Sequence, residues 1–172
     1  MRSVRQVAGT VLVAVGFLLG SPGSGHAQSG TGGRANVVSA NPFGILLEWF
    51  NLEYERVISD TGTLGIGGST FRSDQNNYYN LDLFGRFYLR DRALDGPMFG
   101  ARVGLTSVPD QGTYPGIGFD LNWSWLMSRN DNFYVGIGFG IKRLMGVDRE
   151  GEGSDFLIYI PTFRLVNVGI VF

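Results

Sequence analysis

The feature that most constrains this chain is a strict two-residue alternation of apolar with small or polar side chains, repeated along most of its length. Ile117, Phe119, Leu121, Trp123 and Trp125 alternate with Gly118, Asp120, Asn122 and Ser124. Phe133, Val135, Ile137, Phe139 and Ile141 alternate with Tyr134, Gly136, Gly138 and Gly140, and Phe99, Ala101, Val103 and Leu105 with Gly100, Arg102, Gly104 and Thr106. A period of two over this distance describes strands with one apolar and one polar face, not helices. The 27 glycines disfavour long helices, and the abundant Phe, Tyr and Trp favour strands.

The same pattern extends in both directions. Tyr79, Leu81, Leu83, Phe87 and Leu89 oppose Asn80, Asp82, Arg86 and Tyr88, with Phe84 and Gly85 breaking the rule. Leu46, Phe50, Leu52 and Tyr54 oppose Asn51, Glu53 and Glu55, while Gly65, Gly67 and Ser69 share one side of 63–71. The chain closes with Val166, Val168, Ile170 and Phe172 on one face. Seven strands are predicted at roughly 44–58, 63–71, 78–89, 97–107, 115–127, 133–144 and 156–172. Residues 60–62, 90–96 and 128–132 read as tight turns. Residues 72–77, 107–114 and 146–155 read as longer polar connections. Alternating short and long connections are the habit of outer-membrane barrels, which also use even strand numbers. Parity therefore asks for an eighth strand, which only 35–40 supplies, with Asn41-Pro42-Phe43-Gly44 as its connection. The alternative is one long bulged strand over 35–58.

The first residues have the three parts of a secretory signal: Arg2 and Arg5, an apolar run from Val7 to Leu19, and small residues before Gln28. As a helix that run rises only about 20 Å, against about 30 Å of bilayer core. Cleavage is expected after Ala27, with 1–27 as signal peptide, 28–34 as a flexible lead-in and 35–172 as one barrel domain. No later stretch reaches eighteen consecutive apolar residues, so a membrane location would require a closed barrel. Of fourteen basic residues, Arg2 and Arg5 leave with the signal, so twelve face fifteen acids. No basic excess exists to attract nucleic acid.

Two kinds of barrel alternate in this way, and the content of the faces separates them. A soluble, periplasmic lipocalin-like barrel with a small apolar ligand inside would carry many lysines and glutamates outside. Here the polar face is mainly Gly, Asn, Ser and Thr, with a single lysine, Lys142. The apolar face carries Tyr79, Phe99, Phe119, Trp123, Trp125, Phe133 and Phe139, which suits a lipid-facing band with aromatic girdles. The expectation is an all-β, eight-stranded antiparallel up-and-down transmembrane barrel. Its lumen would hold Glu53, Glu55, Asp82, Arg86, Arg102, Asp120 and Lys142. Eight strands leave an interior just wide enough for side chains, so these charges are expected to pair as a plug rather than line an ion path.

The terminal run from Pro161 to Phe172 resembles the closing strand of bacterial outer-membrane proteins, which end in an aromatic residue preceded by alternating apolar ones. That resemblance implies reading by the barrel-assembly machinery, with Val166, Val168, Ile170 and Phe172 as the signal. Arg164 departs from the alternation and is expected at the membrane interface. Asn41-Pro42-Phe43-Gly44 with Leu52-Glu53-Tyr54-Glu55-Arg56 looks like the opening of small outer-membrane barrels of the OmpX/OmpA-like type. The resemblance covers nearly all of 35–172 and specifies architecture, not biochemistry. It implies an outer-membrane location, lipid contacts and a monomer.

Chemistry is sparse. There is no cysteine, and the one histidine, His26, lies in the expected signal peptide. Outer-membrane hydrolases and acyltransferases usually activate a serine with histidine, so a lipid-modifying enzyme is a distant reading. Glu53 and Glu55 share a strand face, but the bases expected beside them favour structural pairing. The acidic stretch 148–155 fails the EF-hand spacing, because Tyr159 stands where the bidentate glutamate belongs. The Gly136-Ile137-Gly138-Phe139-Gly140 run lies inside a strand and is no dinucleotide fingerprint. No catalytic residue, cofactor or metal is expected. The role expected is structural or surface interaction through the outer loops.

Overall fold

The computed structural model describes residues 36–44, 48–73, 76–110, 112–146 and 159–172; the expected signal peptide, lead-in and acidic stretch 148–155 lie outside them. Eight strands follow one another: β1 (Asn36–Ala40), β2 (Trp49–Val57), β3 (Gly62–Ser73), β4 (Asn76–Tyr88), β5 (Gly96–Val108), β6 (Gly112–Met127), β7 (Phe133–Leu144) and β8 (Tyr159–Val171). Each pairs antiparallel with the next, and β8 returns to β1, so the sheet closes as an up-and-down barrel. β1 is a strand of its own: Val37 pairs with Glu55 on one side and Val171 on the other. Residues 35–58 are therefore not one bulged strand.

The register fixes the shape. Starting at Val37, the pairs lead through Glu55, Gly65, Phe84, Arg102, Gly118 and Lys142 to Ile160 on β8. That position lies about ten residues along β8 from Val171, the partner of Val37, once an extra residue in β8 is discounted. With about 3.4 Å per residue along a strand and about 4.8 Å between strands, this stagger tilts the strands by about 40°. Such a barrel encloses a lumen of side-chain width.

The extra residue is a β-bulge. Gly136 faces Asn167, but Gly138 faces Arg164, so Leu165 and Val166 together oppose Ile137. The bulge moves the inward phase of β8 from Thr162 and Arg164 to Asn167, Gly169 and Val171. Arg164, expected at the membrane interface, is thereby turned into the lumen and only 4% exposed. Val166, Val168, Ile170 and Phe172 keep the outward face, with Ile170 64% exposed. In β4 the break in pattern is one of residue type, not geometry. Phe84 is buried in the lumen and Gly85 faces outward, so the strand stays regular.

The connections correct a second expectation. β3 and β4 pair out to Ser73 and Asn76, and β5 and β6 out to Val108 and Gly112, leaving only 74–75 and 109–111 between them. Polar residues such as Arg72, Asn77 and Thr113 sit in the ladders rather than in longer loops; their polarity marks where the strands leave the apolar band. Beside the second of these connections φ is positive at Asp110 (59°) and at Gly112 (116°). On the end that also carries Asn36 and Phe172, the connection 89–95 is longer than either.

The outer surface is apolar. Phe119, Leu121, Phe139 and Ile141 are among the exposed large side chains, Phe119 at 62%. Among the described strand residues, the charged side chains on the outward phase are Arg56, Arg72 and Arg143, each one residue from the end of its strand. Aromatic pairs such as Phe87 with Phe99 and Trp123 with Trp125 sit on this face, and the Arg90 guanidinium lies over the Trp123 ring. The end carrying Asn36 and Phe172 is filled by Val37, Tyr88, Ala93, Leu94, Met98, Tyr134 and Val171. Leu94 comes from the 89–95 connection, which folds into the mouth; Ser124 Oγ donates to its carbonyl.

Candidate functional site

The lumen is the only place where the described residues gather charge away from solvent. Alternation sends Glu53 and Glu55 of β2, Asp82 and Arg86 of β4, Arg102 of β5, Asp120 of β6 and Lys142 of β7 to the same interior. Arg86 is the hub. Its Nη1 donates to Glu55 Oε2 at 2.5 Å, its Nη2 to Glu53 at 3.0 Å, and its Nε lies 3.7 Å from Asp120. Phe84 supports the guanidinium from one face, 4.0 Å from ring centroid to Cζ. Arg102 bridges Asp120 at 3.2 Å and Asp82 at 3.5 Å, and Lys142 Nζ, wholly buried, donates to Asp82 at 2.5 Å.

Arg164, delivered by the bulge, completes the set. It pairs with Glu53 at 2.9 Å and donates to the Tyr134 hydroxyl at 2.9 Å and to Ser39 Oγ at 3.5 Å. Thr63 Oγ1 and Tyr88 Oη both donate to Glu55 Oε1, at 2.5 and 2.9 Å. Four acids and four bases thus form one connected, formally neutral network that reaches every strand of the barrel. Each carboxylate lies within 3.2 Å of a cationic nitrogen. Charges this buried persist only when paired, and these are paired with one another. Among the described residues, no group of three or more metal-ligating side chains is placed to hold a metal ion.

Arg164 and Phe84 are lumen residues that escaped the pattern. Arg164 was hidden by the bulge, although its spacing of three from Asn167 across two apolar residues is the visible sign of one. Phe84 was hidden by its apolar type. It packs over Gly65 and Gly67, whose missing side chains make room for the ring.

Beyond the network, toward the end away from Asn36 and Phe172, the lumen opens into a cavity of about 340 Å³. Its wall includes the inward residues Asn51, Glu53, Asn80, Thr106, Asn122, Thr162 and Arg164. Pro161 and Phe163, which face outward on β8, also line it. β1 pairs with β8 only over Val37–Ala40 and Val168–Val171. Among the described residues, no strand lies along the β8 edge from Tyr159 to Asn167. Across that gap the Trp49 ring of β2 meets the Phe163 ring edge-on, centroids 5.3 Å apart. Three buried polar atoms on the cavity wall have no hydrogen-bond partner: Asn122 Oδ1, Thr162 Oγ1 and Arg164 Nε. Asn122 spends its amide nitrogen on Asp120.

No family model, curated protein or solved structure matches the chain.

Proposed function

We propose that this chain is an outer-membrane β-barrel protein with a structural or surface-interaction role, whose lumen is held shut by its own ion pairs. The observation that carries the reading is the inversion of the barrel: large apolar side chains cover the outside, and eight mutually paired charges fill the inside. In water this arrangement leaves far more apolar surface exposed than a soluble monomer tolerates. In a bilayer the same surface is the solvent-matched one. Confinement of outward strand charges to Arg56, Arg72 and Arg143, at strand ends, fits a central lipid band.

The closing strand, with Val166, Val168, Ile170 and Phe172 outward, suits recognition by the barrel-assembly machinery, and the first residues suit export. The reading assigns no reaction to the lumen, because its acids and bases are committed to each other. It assigns no conduction, because Tyr88, Leu94 and Tyr134 fill one end.

The test is folding of residues 28–172 into detergent or lipid vesicles, followed by denaturing electrophoresis with and without boiling. A mobility shift on boiling, with β-rich circular dichroism, is expected. Folding to a soluble monomer without detergent would overturn the reading in favour of a periplasmic ligand-binding barrel.

A further inference from the structure

The geometry points to the cavity as a binding site for a small neutral saccharide, seated between an arc of aromatic rings and a polar floor. The inference goes beyond the membrane reading and needs only the closed barrel.

Alternation builds the arc. Trp49, Phe71 and Tyr78 each lie two residues from an inward position, namely Asn51, Ser69 and Asn80. Trp49 pairs with Phe71, and Phe71 with Tyr78, so the three rings stand side by side on β2, β3 and β4. Their centroids are 5.6 and 6.2 Å apart. All three line the cavity, and Phe71 remains 39% exposed. On the outward phase such rings would face lipid. On the inward phase they offer the cavity electron-rich faces, which a ligand's C–H groups can cover.

Two residues deeper the same three strands turn polar. Ser69 pairs with Asn51 on one side and with Asn80 on the other. Asn51 Oδ1 accepts from the Asn41 backbone N–H at 3.1 Å, and Asn80 Oδ1 from Thr106 Oγ1 at 2.6 Å. Both amides are thus held in place before any ligand arrives, which lowers the cost of binding one. Glu53, Asp82 and Arg102 of the ion-pair network also line this space. A wholly apolar guest would strip water from these groups without replacing its hydrogen bonds. A sugar ring carries hydroxyls around its edge, which donate and accept, and C–H groups on its faces, so it suits both floor and arc. The volume of about 340 Å³ falls in the range of small-molecule sites, about 300–1,000 Å³.

Ligand charge follows from the network, whose acids and bases already balance. Arg102 is engaged by Asp82 at 3.5 Å, and Arg164 by Glu53 at 2.9 Å. An anionic sugar would meet Glu53 and Asp82, and a cationic one Arg102 and Arg164. A neutral ring meets no net opposing charge.

Trp49 provides the readout. The chain has three tryptophans, and Trp123→Phe with Trp125→Phe, both on the outer face, leaves Trp49 alone in the arc. This variant is folded in a phosphocholine detergent, because sugar-headed detergents would compete. It is titrated with glucose, N-acetylglucosamine, maltose and sucrose, and with the charged analogues glucuronate and glucosamine. A saturable change in Trp49 emission is expected with a neutral sugar, half-complete on the order of 1 mM, the affinity of a few net hydrogen bonds and a stacked ring. The charged analogues should need at least about tenfold more. Phe71→Leu keeps an apolar side chain but removes the ring, and Ser69→Ala removes one hydroxyl. Each should raise the half-saturation point by about threefold to tenfold. Each variant's fold is checked by its mobility shift on boiling. A flat response to every neutral sugar up to about 100 mM, or equal affinity in both variants and the parent, overturns the site. Tighter binding of glucuronate or glucosamine overturns the neutral ligand. Should the chain fold in buffer without detergent, the membrane reading fails separately, and the same titration run in buffer still decides the site.

Discussion

The two halves of the lumen are built on one alternation yet end in opposite states. Toward Asn36 and Phe172, the inward positions carry Tyr88, Met98, Tyr134 and Val171, and the space is full. Toward the other end they carry Gly67, Ser69, Asn80, Thr106 and Asn122, and a cavity of about 340 Å³ remains. The ion-pair network lies between, finishing the closed half and forming the floor of the open one. Strand geometry thus sets only which residues face inward. Whether a barrel of eight strands is plugged or hollow depends on the volume of those residues.

The largest expected effect tests the boundary between the halves. Arg86→Met leaves Glu53, Glu55 and Asp120 without their hub and should destabilise the folded barrel by about 3–5 kcal/mol, read from urea unfolding in lipid or detergent. A loss below about 1 kcal/mol would mean that the remaining bases take over and the network has no hub. Next comes the closed half. Leu94→Ala removes a fully buried side chain and should cost about 2–4 kcal/mol in the same assay.

A matched pair of glycines sharpens the contrast. A methyl group on Gly65 would collide with the Phe84 ring and with the Tyr54 carbonyl, so Gly65→Ala should cost about 1–3 kcal/mol. At Gly67, two residues nearer the cavity, the same methyl meets Glu53 Cγ at 3.2 Å and Phe84 Cε1 at 3.4 Å. Gly67→Ala should therefore cost less than about 1 kcal/mol. Equal losses at the two sites would mean that the halves are packed alike. The smallest effect lies outside the lumen. Arg92 and Asp131 form a 2.5 Å pair between connections at the filled end, but both are partly exposed. Arg92→Ala should change stability by about 0–1 kcal/mol and become neutral in high salt.

Much of this was legible in the residues, for a definite reason. One face of the sheet is apolar almost without exception, so a register slip would turn Phe119, Leu121 and Ile141 inward, and the period of two reports the faces directly. Strand number followed from parity, since a closed antiparallel barrel returns to its start only after an even count. Seven of the eight lumen charges were found in this way. Arg164 was not, because a single extra residue at Leu165-Val166 inverts the phase, and inversion is invisible to a rule that assumes continuity. The connections misled for a different reason. Polarity at 72–77 and 107–114 marks the end of the apolar band, and the ladders continue past it. The cavity was illegible because it depends on how much of the lumen the inward side chains leave unfilled, and alternation records neither that volume nor the short β1–β8 seam.

That seam also governs how the barrel comes together. Most neighbouring strands lie close in sequence and can zip as hairpins, each reaching its partner across a short turn. β1 and β8 cannot. Asn36 and Phe172, joined by reciprocal backbone hydrogen bonds, are 136 residues apart, and the ladder beside them spans only Val37–Ala40. The entropy of closing so long a loop is set against a very short ladder. Closure therefore comes last, after the hairpins have assembled an open, curved sheet with two sticky margins. During that interval the chain is most exposed to pairing with another copy of itself, and the Arg164 bonds to Ser39 and Glu53 act as the clasp that ends it.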